Sequence, residues 1–136
     1  MSATPSLHFT LLFAGLCGLL QFALTVLVVV RRKQARVSLL DGGDAQLVKR
    51  IRAHGNFVEV APMALLLMAL LEWRGFAPLA LVCFGVLLVV GRVLHATGIL
   101  NAQLVWARAV GMGMSLFVVS VQAACCLWVF LRYQIS

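Results

Sequence analysis

Four long apolar segments divide the chain, and short polar stretches separate them. The segments cover residues 7–30, 57–71, 76–100 and 109–131. A membrane-spanning helix needs about 20 predominantly apolar residues, with a range of roughly 17 to 25. The second segment is shorter than this, so its helix can cross a bilayer only if it also includes the polar residues upstream. The pattern therefore predicts four membrane-spanning helices, at about 7–30, 52–72, 76–100 and 108–131.

The upstream extension of the second span contains the stretch RIRAHGNFVEVAP, residues 50–62. Arg52, Asn56 and Glu59 are separated by four and three residues, so on a helix they lie on one face. A charged side chain in the middle of a membrane helix costs about 2.5–3.5 kcal/mol on insertion scales. We therefore expect this face to meet partner charges, water or a ligand.

The other spans carry cations to the same depth. Arg92 and His95 lie near the end of the third span, Arg108 begins the fourth, and Arg31 and Arg32 end the first. Alternating helices bring the end of one span next to the start of the following span, so these residues should cluster. Three arginines then face one carboxylate, and such a positive pocket suits an anion, because arginine binds carboxylates in a bidentate manner. A purely structural ion pair between Glu59 and Arg92 remains an alternative.

Composition supports a membrane protein. Hydrophobic residues make up 63% of the 136 residues and charged residues 11%, against roughly 45–50% and 25% in soluble domains. We interpret residues 1–136 as one domain, an all-α integral membrane bundle of four helices. The four cysteines lie in apolar runs without ligand spacing, so neither a disulfide framework nor a metal site is expected.

The formal charge of +7 could suggest a nucleic-acid partner, but the placement of the cations argues against one. Seven of the eleven lysines and arginines fall between residues 31 and 52, beside the predicted spans. Cytoplasmic loops of membrane proteins carry an excess of such residues, and anionic lipid headgroups attract them. The sequence predicts a cytoplasmic first loop, both termini on the outer side, membrane lipids as neighbours and no nucleic acid.

Three sequence blocks resemble the MAPEG family, the membrane-associated proteins in eicosanoid and glutathione metabolism. The first matches the pattern Arg-Ala-His-x-Asn-x-x-Glu-x-x-Pro through Arg52, Ala53, His54, Asn56, Glu59 and Pro62. The blocks GRVLHATGIL and ARAVGM are similar to the end of the family's third helix and the start of its fourth. The turn DGGD before the second span is similar to that of the bacterial branch. With the four spans, the resemblance covers essentially the whole chain.

This resemblance implies a homotrimer in a bacterial inner membrane, with glutathione as cosubstrate between subunits near the cytoplasmic face. The residues implied to bind glutathione are Arg52, Asn56, Glu59, Arg92 and His95, completed by Arg31 or Arg32 of the adjacent subunit. Arg108 would activate the thiol, and the thiolate would attack a lipophilic electrophile or reduce a lipid hydroperoxide. The implied activity is that of a glutathione transferase or peroxidase.

Two other functions remain open at the level of the sequence. Tyrosines that the eicosanoid enzymes often carry are replaced here by Val60, His95 and Ile99, which leaves room for a non-catalytic member that only binds or only keeps the fold. A small four-helix transporter is the third hypothesis. Small multidrug exporters of that size depend on an acidic residue in their first span, and the first span has none.

Overall fold

The computed structural model describes the backbone of residues 7–135 and the side chains of residues 7–132. This part of the chain folds into four long helices, and it contains no strand. The helices are α1 His8–Ala35, α2 Ala45–Trp73, α3 Pro78–Leu100 and α4 Val105–Ile135. One 3₁₀ turn, Ala102–Leu104, precedes α4 in this part of the chain. All four are long and apolar enough to cross a membrane. The protein is an all-α integral membrane bundle.

The helices extend beyond the apolar segments. α2 begins at Ala45 rather than near residue 52, because Asp44 caps it: the Asp44 carboxylate accepts the Leu47 backbone N–H at 2.7 Å. A capping carboxylate satisfies an amide that has no partner inside the helix. α1 continues to Ala35 and ends in a left-handed Arg36. The spans counted from hydropathy alone therefore miss polar turns that remain helical.

Each helix buries one stripe of residues spaced three or four apart, as expected for packed helices. The stripe of α2 consists of Ala53, Phe57, Ala61, Ala64, Met68 and Leu71. That of α4 consists of Ala107, Gly111, Ser115, Val118 and Gln122. α3 is the most buried of the four and packs against the other three. The remaining faces expose large apolar side chains such as Leu19, Phe22 and Phe117, which suits contact with lipid.

Side-chain contacts join α1 to α2 at both ends of the bundle. At one end, Arg31 forms an ion pair with Asp44 at 2.7 Å, and Arg50 donates to the Leu27 carbonyl at 2.8 Å. At the other end, the Glu72 carboxylate accepts the backbone N–H groups of Phe9 and Thr10. The first end holds nine of the eleven lysines and arginines, and we call it the basic end.

α3 and α4 approach each other through glycines. A Cβ atom on Gly111 would overlap the Gly91 carbonyl oxygen of α3, and one on Gly98 would overlap the Arg108 backbone of α4. Glycine is required at both places because the two backbones lie too close for any side chain. This contact is at the basic end, and it fixes the spacing between His95 and Arg108.

Candidate functional site

A cleft of about 450 Å³ opens at the basic end between α2, α3 and α4. Two positions on α3 and one on α4 face four positions on α2. The lining residues are Val48, Lys49, Arg52, Asn56, His95, Ile99 and Arg108. Of the residues predicted from the sequence, the structure thus brings Arg52, Asn56, His95 and Arg108 together.

The cleft is positively charged. Lys49, Arg52 and Arg108 line it, and no lining residue is acidic. The side chains of Arg52 and Arg108 are exposed, and neither side chain donates a hydrogen bond to another described residue. A set of cations without a protein carboxylate is the arrangement expected where an anion completes the charge balance.

The His95 ring is held in one orientation at the wall of the cleft. Its Nδ1 atom lies 2.8 Å from the Arg108 carbonyl oxygen, and only 5% of the residue is exposed. A carbonyl can only accept a hydrogen bond, so Nδ1 carries a proton, and in the neutral ring Nε2 is then an acceptor. Nε2 has no hydrogen-bond partner among the described residues. An unpaired buried polar atom costs about 1–3 kcal/mol, which makes this atom a candidate for contact with a ligand.

The structure gives Arg92 a place different from the predicted one. It is 1% exposed and is not among the residues that line the cleft. It donates to the Ser115 Oγ at 2.9 Å and to the Asn56 carbonyl at 3.1 Å, with the Gly111 carbonyl at 3.5 Å. The physical reason is that a buried guanidinium needs many acceptors, and carbonyls of α2 and α4 supply them. Arg92 therefore joins the three helices that form the cleft.

Glu59 also lies outside the cleft, on the exposed surface of α2. It forms neither a hydrogen bond nor an ion pair with Arg92 in the described part of the chain, so the structural pair considered as an alternative is not present.

Arg31 and Arg32 both form hydrogen bonds with residues of the loop between α1 and α2. Arg31 donates twice to Asp44, at 3.1 and 2.7 Å, and this pairing lowers the pKa of the Asp44 carboxyl, with further help from the Leu47 amide. Arg32 donates to the Leu40 carbonyl at 2.7 Å and lines a neighbouring cavity with Arg52. Neither residue lines the candidate cleft.

Lys49 was missed in the sequence, although a signal for it existed. It precedes Arg52 by three residues and Asn56 by seven, so it continues the same helical face one turn upstream. Hydropathy alone begins the second span near residue 52, whereas α2 begins at Ala45, so the predicted site does not include Lys49. For metal binding, residues 7–135 contain no group of three or more histidine, cysteine or acidic side chains close enough to share an ion.

Fold and cleft together define an integral membrane protein of four helices with a positively charged pocket at one end. The chain belongs to the MAPEG family: the model of that family matches residues 10–128. Two curated relatives are the inner membrane protein YecN of Escherichia coli strain K12 and that of Escherichia coli O6:H1 strain CFT073. Each is 38% identical over 104 residues, which cover 76% of this chain and 77% of the relative. No solved structure gave a match.

Proposed function

We propose that the protein is a glutathione-dependent membrane enzyme, which activates the glutathione thiol for attack on a lipophilic electrophile or a lipid hydroperoxide. The observation that carries the proposal is the cleft itself. Three cations line it without an acid, and the apolar side chains of Val48 and Ile99 lie beside them. The volume falls within the roughly 300–1,000 Å³ usual for small-molecule sites.

Glutathione matches this arrangement chemically. It carries two carboxylates and one ammonium, so it is a net anion at neutral pH. Arg52 and Lys49 offer donors to the carboxylates, and the Asn56 side chain adds a neutral amide at the same wall. Family membership agrees with a glutathione-related role.

Arg108 is the proposed activator of the thiol. The thiolate is the reactive nucleophile, and a nearby guanidinium favours the charged sulfur over the protonated one. Arg108 suits this role because its side chain is exposed at the cleft while its backbone carbonyl is fixed by His95. The lipophilic substrate would reach the sulfur from the bilayer.

We also propose a homotrimer in an inner membrane, with the basic end cytoplasmic. The relatives are inner membrane proteins by name, and the cation-rich end fits the cytoplasmic side. In a trimer, Glu59 on the outer face of α2 would be available to the ammonium of a glutathione shared with a neighbour. Arg31 or Arg32 of that neighbour would complete the site.

The test is glutathione binding by calorimetry on the detergent-purified protein, with the ultraviolet absorbance of the thiolate measured alongside. Arg108→Ala should keep the binding and lose most of the thiolate signal. Asn56→Ala should weaken binding about tenfold, the loss of one good hydrogen bond. Lys33→Ala is the matched control, because it removes one exposed cation at the basic end without touching the cleft.

Turnover is then measured with a chloronitrobenzene and with a lipid hydroperoxide, which separates conjugation from peroxide reduction. Binding without turnover of either would favour the non-catalytic alternative. Absence of saturable binding at millimolar glutathione would overturn the proposed function, since the cleft would then serve another anion or none.

A further inference from the structure

The buried Nε2 atom of His95 lies in a residue that lines the cleft. His95 is 5% exposed and lines the cleft. Its Nδ1–H is donated to the Arg108 carbonyl at 2.8 Å, and within the described part of the chain Nε2 has no hydrogen-bond partner. A ring fixed in this tautomer presents a lone pair and no proton at Nε2. No described group donates a hydrogen bond to this atom.

We infer that His95 is the base that receives the proton of the glutathione thiol through Nε2. This inference rests on the proposed function, because it concerns the thiol of the same ligand. The S–H bond breaks, its electron pair stays on sulfur, and the proton forms a bond to Nε2. The products are a thiolate and an imidazolium, and the imidazolium keeps its Nδ1–H donated to the Arg108 carbonyl.

The surrounding charges fit a shared task between two residues. His95 lies among guanidinium groups from all three helices of the cleft: Arg52 of α2, Arg92 of α3 and Arg108 of α4. These cations oppose an isolated imidazolium and favour an adjacent thiolate, so proton transfer within the pair leaves the net charge of the site unchanged. Arg108 stabilises the sulfur charge, and His95 takes the proton.

One contact ties the two roles together. His95 is bonded to the backbone carbonyl of the same residue whose side chain faces the cleft, so the base and the cation are anchored at one point of the backbone. The close contact of Gly98 with the Arg108 backbone holds this geometry. In an addition reaction, the sulfur–carbon bond forms, the π electrons of the acceptor move to its neighbouring atom, and that atom takes the proton back from Nε2.

The experiment counts protons. Glutathione is titrated into the detergent-purified protein by calorimetry near pH 7.5, in buffers of different ionisation enthalpy, with thiolate absorbance measured in parallel. If His95 takes the proton, the protein forms thiolate and releases close to no proton to the buffer. If Arg108 acts alone, thiolate formation releases about one proton per glutathione.

His95→Asn is the matched variant, because the asparagine amide can still donate to the Arg108 carbonyl but offers no base at the position of Nε2. We expect glutathione affinity within about threefold of the unaltered protein. We also expect either loss of the thiolate signal or release of about one proton. Conjugation with the chloronitrobenzene should fall at least tenfold in rate constant at saturating glutathione.

The outcomes are distinguishable. Release of about one proton by the unaltered protein, with full thiolate absorbance, overturns the inference and leaves the proposed function intact. A His95→Asn protein with unchanged absorbance, proton count and rate does the same. If the unaltered protein binds no glutathione, the proposed function and the inference both fall. The proton count of the unaltered protein decides the matter even if the variant does not fold.

Discussion

At the scale of single residues, Asp44 joins two helices with one carboxylate. It caps α2 through the Leu47 amide and pairs with Arg31 at the end of α1. The ion pair and the cap both stabilise the ionised form, so the pKa of Asp44 lies below its ordinary value in the folded protein. Its stabilising effect is therefore complete above the ordinary pKa of about 4 and is lost as the pH falls through the lowered pKa.

Asp44→Asn should reduce the acid sensitivity of the fold. Between about pH 5 and the lowered pKa, the thermal midpoint of the unaltered protein should fall, and that of the variant should fall less. Circular dichroism in detergent measures both. Asp41→Asn is the control, because the Asp41 carboxylate accepts a local amide, that of Gly43, and lies in the same loop. Equal acid sensitivity in all three proteins would contradict the assigned role.

For Arg92, the sequence predicts the depth in the bundle but not the direction in which the side chain faces. The sequence placed Arg92 correctly among the cations near the basic end, because helical order alone determines that depth. Whether its side chain faces the cleft or the interior depends on the rotation of α3, which the Gly91 and Gly111 contact sets. That contact is a property of two helices, and spacing along one helix does not contain it.

At the scale of elements, the contact between α3 and α4 decides whether the cleft exists. Gly111→Ala would force a methyl group against the Gly91 carbonyl and the His95 backbone. Overpacking of this kind typically costs about 1–3 kcal/mol, and here it should also move His95 away from Arg108. We expect a lower thermal midpoint together with weaker glutathione binding.

Gly113→Ala provides the matched control for this change. Gly113 lies two residues further along α4, where an added Cβ atom meets nothing within 4 Å. Alanine favours a helix over glycine by about 0.8–1.0 kcal/mol, so this variant should be at least as stable as the unaltered protein. If Gly111→Ala has the same thermal midpoint and glutathione affinity as Gly113→Ala, the close contact between α3 and α4 at Gly111 is contradicted.

α1 depends on α2 for its first turn. The N-cap residue of α1, Leu7, forms no side-chain hydrogen bond to the helix. The Glu72 carboxylate accepts the Phe9 and Thr10 amides instead, at 2.8 and 2.7 Å. Helix caps of this kind are worth about 0.5–2 kcal/mol. The carboxylate also lies at the positive end of the α1 dipole.

Glu72→Gln should therefore loosen the start of α1 without unfolding the bundle. Hydrogen exchange followed by mass spectrometry should show faster exchange in a peptide that covers Phe9 and Thr10, while peptides from α3 keep their protection. Glu59→Gln serves as the control, since it neutralises an exposed acid of the same helix. Unchanged exchange at α1 in the Glu72 variant would exclude the cap.

At the scale of the whole molecule, topology was the most predictable feature. Four apolar segments with cations at alternate ends specify an antiparallel bundle, and the structure has it. The cleft was predictable in outline, from Arg52, Asn56, His95 and Arg108. The part of the cleft lined by Val48 and Lys49 was not predictable, because the start of α2 depends on the cap at Asp44. The position of the α3 and α4 wall was not predictable either, because it depends on glycine contacts between those helices.

The proposed orientation can be tested on whole cells. Ser38 in the first loop and Ala77 in the second are exposed and lie at opposite ends of the bundle. With the basic end cytoplasmic, Ala77→Cys should react with a membrane-impermeant maleimide in cells whose outer membrane has been opened. Ser38→Cys should react only after lysis. The reverse pattern would place the first loop on the outer side.

The length of α2 has a consequence for how the two proposed substrates meet. Its 29 residues extend over about 44 Å at 1.5 Å per residue, whereas the hydrocarbon layer is about 30 Å thick. Because Lys49, Arg50 and Arg52 lie in its first turns, the excess stands among the lipid headgroups. At that depth the charged cosubstrate can bind from the water and the lipophilic substrate from the bilayer. Neither would have to cross a solvent in which it is poorly soluble. Among electrophiles of similar reactivity, partitioning to the headgroup region would then set the preference more than shape does.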